Sequence, residues 1–200
     1  KGELLVFEDW NEVEKNFNKK SVFLSNLHNP NQVAFYNGYL YVAETDKLTR
    51  YPYKAGSITV SSEPEVLARF PDYGLGYKYG GWHLTRSLAF RKNKIYVSVG
   101  SSCNACLEKE ELRASITQMN LDGTDPIIYA RGLRNSVGID FIRNELWTTG
   151  MGRDWIGDDR PDDLFQKIDS AGYYGWPYYY QVKNEIFEDD EFKDSSRPAY

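Results

Sequence analysis

Three segments of the chain share one rhythm of apolar and polar positions. They read LHNPNQVAFYNGYLYVAET (27–45), WHLTRSLAFRKNKIYVSVG (82–100) and LRNSVGIDFIRNELWTTGM (133–151). Each carries a phenylalanine (Phe35, Phe90, Phe141), then four polar or turn residues, then an aliphatic–aromatic pair: Leu40-Tyr41, Ile95-Tyr96 and Leu146-Trp147. The units recur after 55 and then 51 residues. Within each, the pattern predicts a strand, a tight turn and a second strand. Asn37-Gly38 is the strongest of the hairpin signals, because both residues tolerate the positive φ that a two-residue turn demands. Further β-rich runs follow at 47–53, near 58–60, at 114–123 and in PIIYARG.

About four short strands per 50 residues is the rhythm of a β-propeller blade. Helical patterning is scarce. Residues 8–20, EDWNEVEKNFNKK, read either as a short helix or as the outer part of a preceding blade. At that blade length 200 residues hold three to four blades, whereas propellers close with about four to eight. An unclosed stack would expose strand edges that invite pairing with other chains. The expectation is an all-β chain, one domain over residues 1–200, forming a partial set of blades from a longer propeller. A start at Lys1 and an end in RPAY suit such a piece.

Composition agrees with an all-β reading. Hydrophobic residues make up 41 % and aromatics 16 %, and aromatic side chains favour pleated, half-buried surfaces. A net charge of −5 argues against a nucleic-acid partner, which calls for a basic face. No apolar run is long enough to span a bilayer as a helix. With Lys1 as first residue, the lack of a visible leader says nothing about export. The two cysteines, Cys103 and Cys106, stand in SSCNAC. They can be a disulfide, half a zinc site, a redox pair or two free thiols. No second cysteine pair completes a zinc site and no βαβ context supports a redox motif. A small structural disulfide in an exported protein is the best reading.

Seven residues before each phenylalanine lie His28, His83 and Arg134. In a propeller these positions enter the innermost strands, whose loops converge on the central channel. A polar convergence at the mouth of a concave site is the default place for a ligand. His28 rests on position alone, and a plain loop residue is the simpler reading for it.

Five motifs, GGWHLTRSLAF, SVGSSCNAC, RGLRNSVGIDF, GRDWIGDD and GYYGWPYYY, give the chain a resemblance over residues 27–180 to the glucose/sorbosone dehydrogenases, and most to the L-sorbosone dehydrogenase type. Those are soluble quinoproteins that fold as six-bladed β-propellers and use pyrroloquinoline quinone (PQQ) with calcium. The resemblance implies that His83, five residues before Leu88, is the general base that takes a proton from a substrate hydroxyl. A neutral imidazole suits that task near pH 7. It further implies that Arg134 and Asn135 contact the quinone, Arg134 also stabilising charge as the quinone is reduced. Calcium would rest on the carbonyls of Gly152 and Arg153. Asp158, Asp159, Asp162, Asp163 and Tyr174 are candidates for a calcium or structural role.

The chain departs from the family pattern in two places. Gly150-Met151-Gly152 stands where the family often has an acidic or amide residue before the glycine, and Leu164 falls where its acidic segment has a glutamate. The family's C-terminal blades, which add basic contacts to the cofactor, are absent from this chain.

The function implied is oxidation of an aldose- or sorbosone-like sugar in the periplasm or outside the cell. The partners are a sugar and an electron acceptor the residues do not identify, and a homodimer is an open arrangement. Two other classes compete: a calcium-dependent hydrolase of the lactonase sort, and a non-catalytic propeller that binds sugars or proteins. The hydrolase calls for convergent carboxylate and amide side chains on the axis; this chain puts His and Arg there. Trp176-Pro177 reads as blade packing and 185–194, EIFEDDEFKD, as an exposed loop.

Overall fold

The structure is a computed structural model and describes residues 2–60, 62–72 and 81–196. Gly80, the first residue of the GGWHLTRSLAF motif, and the terminal RPAY lie outside the described residues. All regular structure among the described residues is β.

The three repeats each open with an antiparallel hairpin: β3 (Gln32–Tyr36) with β4 (Tyr39–Ala43), β7 (Leu88–Arg91) with β8 (Lys94–Val99), and β11 (Ser136–Ile142) with β12 (Glu145–Gly150). The same two turn positions have positive φ in all three: Asn37 and Gly38, Lys92 and Asn93, Arg143 and Asn144. Only the first pair advertises itself. The other two form because a two-residue connection must match the right-handed twist of its strands, and only the mirror-image turns do.

Each hairpin grows outward. β5 (Lys47–Pro52) and β6 (Glu65–Arg69) complete a four-stranded sheet on the first. β9 (Ser115–Asn120) and β10 (Ile127–Arg131) extend the second, and β14 (Gly172–Tyr173) adds a parallel edge to it. β13 (Leu164–Ile168) makes the third a three-stranded sheet. The run near 58–60 is not a strand; the pairing falls to β6, five residues further on.

Residues 8–20 form no helix. They lie in a hairpin of β1 (Gly2–Asn11) and β2 (Asn16–Leu27). The closely spaced charges of this stretch mimic a helical face, but Trp10 pairs across the hairpin with Phe17, and Phe7 also packs against that ring at a tilt. Asn11 Oδ1 accepts from the backbone N–H of Val13 and Glu14 and closes the turn. The acidic stretch at 185–194 is likewise more than an exposed loop. Its first part is β16 (Glu185–Glu188), paired with β15 (Tyr179–Val182), and Asp189 and Phe192 beyond it are buried.

The sheets stack face to face in chain order, because a pleated strand sends alternate side chains to opposite faces. In β4, Leu40 and Val42 meet Phe23 and Leu27 of the first hairpin, while Tyr41 and Ala43 meet Ile95, Val97 and Val99 of β8. From the other face of the second sheet, Ala89, Tyr96 and Ile116 meet Leu146 and Ile168 of the third. Side chains also tie the first strands of adjacent sheets together. The Gln32 amide donates to the Leu88 carbonyl (3.2 Å) and accepts from the Leu88 N–H (2.7 Å). Ser87 Oγ donates to the Val137 carbonyl. These ties hold the entrances of β7 and β11, and the loops before them, in fixed relation.

Candidate functional site

His83 sits half-buried in the loop before β7 with φ +48. Its Nδ1 lies 2.8 Å from Ser101 Oγ and 3.1 Å from the Ser101 carbonyl. Ser101 Oγ sends its own proton to the Cys103 carbonyl, 2.7 Å away. A carbonyl only accepts, and this hydroxyl has already donated, so Nδ1 must carry the proton. The imidazole is therefore the Nδ1–H tautomer, and Nε2 keeps a bare lone pair. Burial, and next the positive charge of Arg134, push its pKa down to about 4, so the ring is neutral at pH 7.

Gly100 directly follows β8 and packs against the His83 backbone and Cβ. A Cβ there would fall 2.4 Å from the His83 Cβ and 2.9 Å from Asn135 Oδ1. Only glycine lets His83 and the Arg134-Asn135 pair close on one spot.

Arg134 is almost fully buried and held from three sides. Nε donates to the Asn104 carbonyl (2.8 Å) and Nη2 to Asn104 Oδ1 (2.8 Å) and Asp154 Oδ2 (3.2 Å); Nη1 reaches the Met151 carbonyl (3.4 Å). Most of its five N–H groups are thus spent inside the protein. What it offers an incoming group is fixed positive charge and a remaining Nη1 proton. Asn135 is different. It is as deeply buried, yet its Nδ2 meets only the thioether of Met151 at 3.4 Å. Sulfur is a weak acceptor, so this amide retains donor capacity for a carboxylate or carbonyl oxygen.

Gly152 and Arg153 follow β12. The Gly152 N–H donates to Asp163 Oδ1 at 3.0 Å. The Arg153 guanidinium bridges Asp189 (2.6 Å) and Glu191 (2.9 Å). Neither carbonyl of the pair accepts a hydrogen bond among the described residues, so both are free to face a hard cation. Gly152, Arg153 and Asp162 line one recess with Arg134, and His83 is not on its wall. Gly152, Arg153 and Asp163, with Asp158, line a second, more polar one. The aspartates do not converge. Among the described residues, the only three metal-ligating side chains within reach of one ion are Cys103, Cys106 and Glu108. Those two sulfurs are joined in a disulfide, which removes them as ligands.

His28 does not join His83 and Arg134. Its Nε2 pairs with Asp72 Oδ2 at 2.9 Å. The Tyr174 hydroxyl accepts from the Asp169 N–H at 2.6 Å. Trp176 is buried and its backbone N–H donates to the Gly132 carbonyl, in keeping with packing.

The residues that sequence reasoning left unassigned are Ser101, Asn104 and Asp154. The Asn104 amide donates to the Asp154 carbonyl (3.1 Å) and its Oδ1 accepts from the Asp154 N–H (2.8 Å). One asparagine thus knits the disulfide loop, Arg134 and the loop after β12. The signal was present in SSCNAC and GRDW as motifs, but nothing in the spacing of residues 104, 134 and 154 announces that they meet.

No family model matches the chain. It is 36 % identical over 93 residues to an uncharacterized protein of Borreliella burgdorferi, a match covering 45 % of this chain and 24 % of the relative. Among solved structures it is similar to the holo pyranose dehydrogenase PQQ domain of Coprinopsis cinerea, with TM-score 0.70, 17 % identity, and 93 % of this chain on 51 % of that one. A Trichoderma reesei protein of carbohydrate-active enzyme family AA12 gives TM-score 0.78 at 16 % identity, over 96 % and 57 %. The PQQ-bound aldose sugar dehydrogenase of Streptomyces coelicolor gives TM-score 0.59 at 18 % identity, over 82 % and 54 %. The chain shares the fold of these proteins and spans about half their length.

Proposed function

We propose that this chain is part of a six-bladed β-propeller quinoprotein that oxidises a sugar hydroxyl or aldehyde, its described sheets belonging to a set of three to four blades. The observation that carries the reading is His83 with its Nε2 bare, fixed beside the charge of Arg134 and the spare amide of Asn135. A sugar hydroxyl placed against Nε2 gives up its proton to the imidazole, which Ser101 holds in the accepting tautomer. Arg134 offsets negative charge that develops nearby. PQQ, when bound, supplies the hydride acceptor; Asn135 and Arg134 are the residues to hold it. The free carbonyls of Gly152 and Arg153 are the residues to hold its calcium. The aspartates of the acidic stretch are too dispersed to make a carboxylate cage, so calcium there would rest on those carbonyls.

The Cys103–Cys106 disulfide supports an oxidising compartment, periplasmic or extracellular. No helix among the described residues is long and apolar enough to cross a membrane.

The test uses the full-length protein, stripped of metal, then supplied with PQQ and calcium and given a panel of aldoses with a reducible dye. Turnover that needs both additions is the expected result. Failure to bind PQQ overturns the reading and brings forward a lactonase-like hydrolase or a binding propeller.

A further inference from the structure

Trp155 is the most exposed of the described tryptophans, 79 % accessible, and its backbone has φ +69. An exposed tryptophan offers a ligand a broad apolar face and a polar N–H. It does not dangle. Asp154, the residue before it, is locked by both ends of the Asn104 amide and by Arg134. On one side the ring meets Trp82 edge to face, with centroids 6.2 Å apart. Trp82 in turn stands 5.8 Å from the His83 ring. Trp155 also lines an open polar recess with Asp158, Arg160 and Asp163. A rigid aromatic face beside carboxylates and a guanidinium offers a sugar what it needs: a flat partner for its C–H face and polar groups for its hydroxyls.

We infer that Trp155 is the platform for a second sugar ring, so that the site takes an oligosaccharide whose terminal ring reaches His83. This rests on the sugar-oxidation reading above. The ring that is oxidised must reach the half-buried His83. Trp82 touches both rings, 5.8 Å from the imidazole and 6.2 Å from the exposed Trp155. A ring stacked on Trp155 is therefore one unit removed from the reacting carbon.

The experiment compares cellobiose and maltose with glucose as substrates of the PQQ- and calcium-loaded full-length protein, for wild type, Trp155→Ala and Trp155→Phe. The alanine variant should lower the ratio of disaccharide to monosaccharide kcat/KM by on the order of fivefold to tenfold, the scale of one aromatic stacking contact. Trp155→Phe should restore most of it. An unchanged ratio, including a parallel loss on both substrates, overturns the platform. Tryptophan fluorescence in the absence of PQQ separates the two readings. A cellobiose- or maltose-dependent change that disappears in Trp155→Ala upholds the platform even if no sugar is oxidised. No such change in wild type overturns the platform even if glucose is oxidised.

Discussion

The hydroxyl of Ser101 accepts from His83 Nδ1 at 2.8 Å while donating to the Cys103 carbonyl at 2.7 Å, so one serine decides which imidazole nitrogen is free. If His83 is the base, His83→Gln should keep PQQ affinity near wild type and cut turnover by on the order of a hundredfold or more. Ser101→Ala should cost less, because the Ser101 carbonyl still holds Nδ1. Its loss should appear in kcat rather than KM. Steady-state kinetics with a quinone-binding titration check both, and equal turnover in His83→Gln removes His83 from the mechanism.

The depressed pKa of His83 makes a statement about stability. Folded, the ring titrates near 4, below its ordinary 6.5. Between those values the unfolded chain binds a proton that the folded chain does not. Stability therefore rises with pH across this window, is fully present above pH 6.5, and is lost as pH falls toward 4. Urea unfolding at pH 7 and pH 4.5 should show wild type losing roughly 2–3 kcal/mol more than His83→Gln. An equal loss in both would mean that the ring is not held neutral by its surroundings.

Arg134 is the second cause of that depression, after burial. Replacing it with a neutral residue should raise the pKa of His83 and move the acid limb of the kcat profile to higher pH. Arg134→Gln is the variant to use, with the pH profile as the readout. A merely structural arginine would lower the rate without moving the limb.

Asn104 touches neither His83 nor any group expected to meet substrate, yet it holds Arg134 and Asp154 at once. Asn104→Ala should weaken quinone binding by about tenfold, since it removes three side-chain hydrogen bonds and keeps only the backbone carbonyl. Reduction of Cys103–Cys106 frees the same loop and should act in the same direction. The disulfide closes so short a loop that its loss should cost only about 2 kcal/mol of stability, leaving the protein folded for the measurement. Quinone titration with and without reductant checks both arms.

How much of this was legible in the sequence follows from what is local and what is not. The hairpins were readable because a strand's alternation and a turn's two residues lie next to each other in the chain. So was the shared place of His83 and Arg134, because the repeats put them in register; Asn135 was pointed to by the motif resemblance alone. His28 shows the limit: it holds the same register, but Asp72, from another loop, takes its Nε2. Residues 8–20 misled because charge spacing fits a helix, while the deciding contacts, Trp10 and Phe7 on Phe17, depend on a hairpin register that charge spacing does not show. The bonds from Asn104 to Arg134 and Asp154 span 30 and 50 residues, and no periodicity carries such a pairing.

Gln32 offers a test of the stack itself. Its amide exchanges two hydrogen bonds with the backbone of Leu88, so β3 and β7, strands of two different sheets, are joined by one side chain. Leu88 is buried, and Gln32→Ala leaves its N–H and carbonyl without those partners. An unsatisfied buried backbone group costs about 1–3 kcal/mol. Gln32→Glu is the sharper variant: a carboxylate still accepts from the Leu88 N–H but, ionised, cannot donate to the carbonyl. Alanine should therefore destabilise more than glutamate at pH 5, where the acid is partly protonated and can donate, and the gap should narrow at pH 8. Since β7 follows directly from the loop that carries His83, both variants should also lower kcat more than a loss of the same size placed in the distal β1–β2 hairpin. Denaturation midpoints paired with kcat decide it. A stability loss with no excess effect on kcat would mean that the Gln32 clasp supports the stack without positioning the base.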